Sequence, residues 1–254
     1  MTGPVAGVDG CPGGWICVSR AGGEVFPSVE VFASFAALAS SLDAKAIIAV
    51  DMPIGLPEKA GLGGRGAEQA VRPYLKARQS SVFSVPSRAA VFAEPGPFEN
   101  ESDRLAAHKR ASAIAMATSD PPRKISIQAF GLFAKIRELD VWLREDMSRS
   151  NRVFESHPEF AFTILNGCEP MALPKKIKGK VNPEGMAERR GFLASRGFSA
   201  DFLKRSPPRG ANSDDFLDAC AMLLVAERLA AGVANAYPTP PARDAFGLPV
   251  AIHA

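Results

Sequence analysis

Apolar residues along the chain fall into two kinds of run. Val5-Ala6-Gly7-Val8 and Ala46-Ile47-Ile48-Ala49-Val50 are short and unbroken, as in strands buried on both faces of a sheet. Trp15 to Val18 and Glu24 to Phe32 follow the first run across glycine turns so short that they predict antiparallel hairpins. Elsewhere the spacing is helical. Ser34 caps a pattern through Leu42, residues 101–118 read as a helix ended by Pro121-Pro122, and Ser126 to Met147 places Phe130, Phe133, Ile136 and Leu139 on one face. Glu68 to Arg78 predicts a helix and Ser80 to Pro86 an extended segment, within an irregular excursion over 58–100. A short strand ending at Glu155 leads to a helix from Glu159 to Leu165. Pro183 to Ser195 and Asp214 to Ala231 are helical, the latter capped by Asn212 or Ser213. Lys175 to Lys180 reads as a solvated basic loop, and the tail from Tyr237 is Pro-rich with an apolar Leu248 to Ile252.

The two unbroken runs each end in an aspartate. Asp9 precedes Gly10-Cys11-Pro12-Gly13-Gly14, and Asp51 precedes Met52-Pro53-Ile54-Gly55. Aspartate is depleted in strands, because its side chain competes for backbone hydrogen bonds and is costly to bury. In open α/β sheets the C-terminal strand edge is where ligands bind. The last helix adds more acid. Asp214 and Asp215 suit the positive end of a helix dipole, but Asp218 lies a turn further in, among Phe216, Leu217, Ala219 and Cys220. Residues 214 and 215 share a side with 218. Carboxylates gathered in a buried place repel one another unless protons or cations neutralise them, and an all-oxygen site suits Mg²⁺ or Mn²⁺ rather than zinc. Two such ions roughly 4 Å apart can activate water and stabilise a leaving oxygen at phosphorus. Each acid also has a plain reading: Asp9 and Asp51 as turn formers, Asp218 in a buried ion pair, Glu155 bonded to a loop. His157, ahead of Pro158, is either a structural residue or a general base or phosphate contact.

Composition changes this picture little. The 254 residues suffice for a sizeable core, and 46% hydrophobic with 22% charged residues is ordinary for a soluble globular protein. A net charge of +3 neither demands nor excludes a nucleic-acid partner. Basic residues are concentrated at 65–88 and 175–180, where they suit phosphates. Cys11, Cys17, Cys168 and Cys220 are scattered, which argues against a zinc site or a disulfide framework and for a reducing cytoplasm. The longest apolar stretch, Ala219 to Ala226, is too short to cross a membrane. The Gly61 to Gly66 loop lacks the Lys-Ser/Thr of a P-loop. With two Trp and two Tyr, stacking aromatics are too few to choose between DNA and RNA.

The order of these elements and acids resembles that of the ribonuclease H-like superfamily. More closely, the chain resembles DUF429, a domain family of unknown function regarded as predicted nucleases. The resemblance is carried by Gly7 to Trp15, Asp51-Met52-Pro53-Ile54-Gly55-Leu56, Arg78 to Phe83, Glu155-Ser156-His157-Pro158-Glu159 and Asp214 to Ala219. It implies one ribonuclease H-like α/β domain over 1–254, a mixed five-stranded sheet flanked by helices, with insertions at about 58–148 and 166–211. It also implies a Mg²⁺- or Mn²⁺-dependent nuclease acting on nucleic acid. Asp9, Asp51, Glu155, Asp215 and Asp218 would be catalytic. Asp9, Asp51, Glu155 and Asp218 would hold metal, with Asp9 as the bridge. Arg78, Ser81, His157, Lys176 and Lys178 would contact substrate. One departure is visible: where relatives are expected to carry an aspartate in the segment from Gly66 to Arg72, this chain has Glu68. Competing readings are a phosphotransferase of the sugar-kinase/actin type and a non-catalytic binding module with a structural cation.

Overall fold

The computed structural model describes residues 3–24 and 26–254. The chain opens with the expected hairpins: β1 (Val5–Cys11), β2 (Gly14–Arg20) and β3 (Ser28–Phe32). The third strand is shorter than its sequence pattern suggests, and the part of that reading that falls on Val25 lies outside the described residues. Then come α1 (Phe35–Ser41), capped by the Ser34 side chain on Ala37 N, and β4 (Ile47–Val50). The excursion holds α2 (Gly66–Leu75), α3 (Arg88–Phe92), α4 (Glu101–Ala117) and α5 (Ile127–Glu145). The chain returns to the sheet with β5 (Val153–Glu155), followed by α6 (Pro158–Leu165). A second excursion comprises β6 (Lys176–Ile177), β7 (Lys180–Val181), α7 (Pro183–Ser195) and α8 (Ala200–Leu203). Helix α9 (Ser213–Ala230) and the strands β8 (Ala236–Arg243) and β9 (Pro249–His253) complete the chain.

The five-stranded sheet has the order β3-β2-β1-β4-β5. The first three strands are antiparallel neighbours, whereas β4 runs parallel to both β1 and β5. This mixed sheet with helices on both faces is a ribonuclease H-like arrangement. Alternation of side chains along each strand assigns the faces. Ala6, Val8, Trp15, Cys17, Ile48 and Val50 pack with α1 and α5, while Val5, Ile16, Val18 and Ala49 pack with α9. Gly7 belongs to the second set. A Cβ there would stand 2.0 Å from Leu223 N and 2.2 Å from Ala219 O, so only glycine lets α9 lie directly on β1. That contact puts the first turns of α9 over the C-terminal ends of β1 and β4.

Two local readings need correction, and the tail gains a structure that its composition did not assign. The helix expected through Arg78 ends at Leu75, and Ser80-Ser81, expected to be extended, closes a 3₁₀ turn over Lys76–Ser81, because α2 already carries Pro73 and breaks at Lys76, whose φ is +48°. Lys175 to Lys180 is not a free loop: it leads into the β6–β7 hairpin, which turns at Lys178-Gly179 with positive φ at both. The Pro-rich tail is a β8–β9 pair with a bulge between Tyr237 and Ala242, the irregularity that prolines impose on a ladder. No helix among the described residues is long and apolar enough to cross a membrane.

Candidate active site

Asp9 is on β1, two residues beyond Gly7 and therefore on the same α9-facing side. Asp51 follows β4, with its backbone N–H held by Val8 O at 2.9 Å, and its place in the alternation is that of Ala49. Asp218 lies in the second turn of α9 and is 2% exposed. Glycine packing of α9 on β1 and the parallel β1–β4 pairing thus bring three distant acids to one place. Each pays for that place in proton affinity. Burial raises Asp9 well above the usual carboxylate range, and Asp51 and Asp218 raise it further. Burial, then Asp218, pushes Asp51 up to about 8. Asp218 is also raised by burial, against the pull of Lys175.

Hydrogen bonds at this centre are few. Asp9 Oδ1 accepts from Gly10 N at 2.6 Å. Asp218 Oδ2 accepts from the Lys175 ammonium, while its Oδ1 is buried with no partner among the described residues. Burial alone would lower the Lys175 pKa, but Asp218, Asp9 and Asp51 outweigh it and hold the ammonium firmly protonated. Beside it, Lys176 Nζ lies 2.5 Å from Asp214 Oδ2. Asp215 closes a capping box, its Oδ2 accepting from Asn212 N at 2.8 Å, so it fixes the start of α9 at the rim of the centre.

Glu155 stands apart. Val50 pairs with Glu155 across the parallel ladder, so both point to the face opposite Asp51. Its Oε1 accepts from Arg65 Nη2 at 2.5 Å, and its Oε2 from Arg65 Nη1 at 3.0 Å and Ile54 N at 2.7 Å. Burial raises Glu155 to about 7 although Arg65 pulls it down. Arg65 also binds Glu68, through Nε to Oε1 at 2.8 Å and through its backbone N–H to Oε2 at 2.7 Å. Both glutamates are thus engaged in a buried arginine fork.

The remaining candidates make other contacts or are exposed. His157 is the N-cap of α6: its Nδ1 accepts from Phe160 N, and its Nε2 lies 3.2 Å from Ser81 O. Burial and Lys175 lower its pKa to about 4, so it is neutral near pH 7. Arg78 donates to Met171 O at 2.5 Å and lies 3.8 Å from Glu159. Ser81 and Lys178 are exposed. Sequence reasoning missed two residues. Arg65 was legible only as one basic residue among several in a glycine-rich loop. Lys135, on α5, lies 5.3 Å from the Trp15 ring, and its stem covers Gly10, where a Cβ would come within 2.6 Å of Lys135 Cδ. An α5 position gives no sign in sequence that it reaches the Asp9 turn.

Whether the centre suits a divalent cation is decided by its donors. Among the described residues no three carboxylate, imidazole or thiolate groups are gathered closely enough to hold a metal ion as they stand. Asp9, Asp51 and Asp218 nevertheless supply only oxygen, and the partnerless Asp218 Oδ1 is a buried acceptor of the kind a hard cation satisfies. These three fit Mg²⁺ or Mn²⁺. Glu155, with both oxygens engaged, fits less well.

The profile of the family described as "Protein of unknown function (DUF429)" matches residues 7–243. Neither the curated proteins nor the solved structures give a match. The matched span runs from the glycine under α9, through the acids of both strand ends and the last helix, into β8; the chain belongs to the DUF429 family.

Proposed function

We propose that this chain is a divalent-cation-dependent nuclease, with Asp9, Asp51 and Asp218 holding Mg²⁺ or Mn²⁺. One observation carries the reading: three acids on one face have raised proton affinities and, among the described residues, share a single lysine and leave a buried Asp218 oxygen without a partner. The buried Glu68, Glu155 and Glu159 are paired with arginine instead. A bound pair of ions would activate water and stabilise the leaving oxygen of a phosphodiester. The protein's own groups do the rest. Asp215 and Asn212 hold the start of α9 in place, and Gly10 leaves room for the Lys135 stem beside Asp9. Lys135 and the exposed Lys178 would supply positive charge for a polyanion, together with Arg78, Ser81, His157 and Lys176. Glu155 acts here through Arg65, by fixing the Ile54-Gly55 turn after Asp51. Three of the four free cysteines are buried, which accords with a reducing cytoplasm.

The test is cleavage of fluorescent single- and double-stranded DNA and RNA in Mn²⁺, by the wild type and by Asp9→Asn and Asp218→Asn. Cleavage that falls by about 10²–10³-fold or more in both variants is the expected result. Equal cleavage by all three proteins would assign the activity to a contaminant and remove the reading.

A further inference from the structure

We infer that Lys175 exchanges partners: it neutralises the acid centre in the absence of a divalent cation, and moves to a substrate phosphate when a cation takes over the carboxylates. The inference rests on the metal-dependent reading above. The Lys175 ammonium is bonded to Asp218 Oδ2, and its next electrostatic neighbours are Asp9 and Asp51, so it stands among the same three acids. A divalent cation drawn to that place would sit beside a fixed positive charge, and the two repel strongly where water is scarce. Charge count favours exchange. The pair of divalent ions of the proposed function carries four positive charges against three carboxylates, so a retained ammonium would add to an existing excess of positive charge.

Lys175 is also built to move. It enters from the short β6–β7 hairpin, whose four strand residues are all exposed. The hairpin is fastened over α9 by Lys176 on Asp214 at 2.5 Å, and its base is closed by Asn182 N donating to Lys175 O at 2.8 Å. These contacts hold the Lys175 backbone while the side chain, 26% exposed, is free to swing outward on its four-carbon stem. Swung out, the ammonium lies at the entrance of the centre, where a phosphate would arrive.

The experiment compares wild type, Lys175→Met and Lys175→Arg. Calorimetric Mn²⁺ titrations are expected to show about tenfold tighter binding in Lys175→Met and near wild-type binding in Lys175→Arg. With Mg²⁺ present, thymidine 5′-monophosphate should bind wild type about tenfold more tightly than Lys175→Met. In the wild type itself, acetylation of the Lys175 amine by acetic anhydride should speed up several-fold on adding Mn²⁺, a readout that needs no folded variant. Wild type that binds Mn²⁺ with Lys175→Met unchanged or weaker overturns the exchange and leaves the metal reading standing. Tighter Mn²⁺ binding with no loss of the nucleotide, or amine reactivity indifferent to Mn²⁺, overturns the exchange too. Absence of Mn²⁺ binding in every protein removes both the exchange and the metal reading.

Discussion

Two groups of buried acids lie at the same end of the sheet, on opposite faces, and they are neutralised in different ways. Glu155 and Glu68 share Arg65, whose five side-chain hydrogen bonds to carboxylate and carbonyl oxygens run from 2.5 to 3.0 Å. A planar guanidinium matches carboxylates in this fork, and it brings enough hydrogen bonds to offset much of the desolvation. Glu159 is held similarly, by Arg189 at 2.6 Å. Among the described residues, Asp9, Asp51 and Asp218 have one lysine, bonded to one oxygen, and Asp218 Oδ1 has no partner. Had packing been the only requirement, the arginine solution was within the protein's repertoire a few residues away. The contrast separates acids held by an arginine fork from three acids that have a single ammonium beside them.

The largest expected effect breaks the structural half. Arg65→Met strands two buried glutamates and should destabilise the protein by about 3–5 kcal/mol, the range for removing one partner of a buried ion pair. Urea unfolding followed by circular dichroism reads it. A loss below about 1 kcal/mol would mean that Glu155 and Glu68 are not held as ions by Arg65, and the contrast would collapse.

How much of this was legible in the sequence follows the same division. Features set by local pattern were readable: the unbroken runs that became β1 and β4, the Ser34 cap, the span of α7, and the acids at strand ends. Asp218 was readable because a charged residue sat where the helix had no solvated face. The partners were not. Whether Glu155 joins Asp51 depends on the β4–β5 register, since a shift of one residue reverses the face, and register between strands separated by a long excursion leaves no mark in the sequence. Lys175 looked like any lysine in a basic loop, because nothing local says that the hairpin bearing it folds back over α9. Gly7 passed as an ordinary strand glycine, although the approach of α9 depends on it.

A smaller effect sharpens the contrast by its sign. Glu155→Gln gives up charged hydrogen bonds to Arg65 and should cost about 1–3 kcal/mol. Asp51→Asn removes a repelling charge from a centre that sets one ammonium against three carboxyls, and should raise the Tm of the metal-free protein at pH 8 by about 2–4 °C, near 1 kcal/mol for a chain of this size. Thermal melts in EDTA compare them directly. Two changes of the same sign would show that the two groups of acids are held alike.

The smallest effect is a pH dependence. Asp51 is pushed up to about 8 and Glu155 to about 7, both above their values of about 4 in an unfolded chain. The folded state therefore binds more protons than the unfolded state between those limits. Stability from this source is present in full below pH 4 and is lost as pH rises through 7 to 8. In EDTA, Tm should decline by a few degrees from pH 5 to pH 8, less steeply in Asp51→Asn. Neutral His157, held at about 4 in the fold, works the other way and is exhausted above pH 7, so the upper half of the window belongs to the carboxylates. Cations and protons compete for the same oxygens, so Mn²⁺ should raise Tm more at pH 8 than at pH 5. A Tm gain from Mn²⁺ that is equal at both pH values, or that survives in Asp218→Asn, would place the ion somewhere other than among Asp9, Asp51 and Asp218.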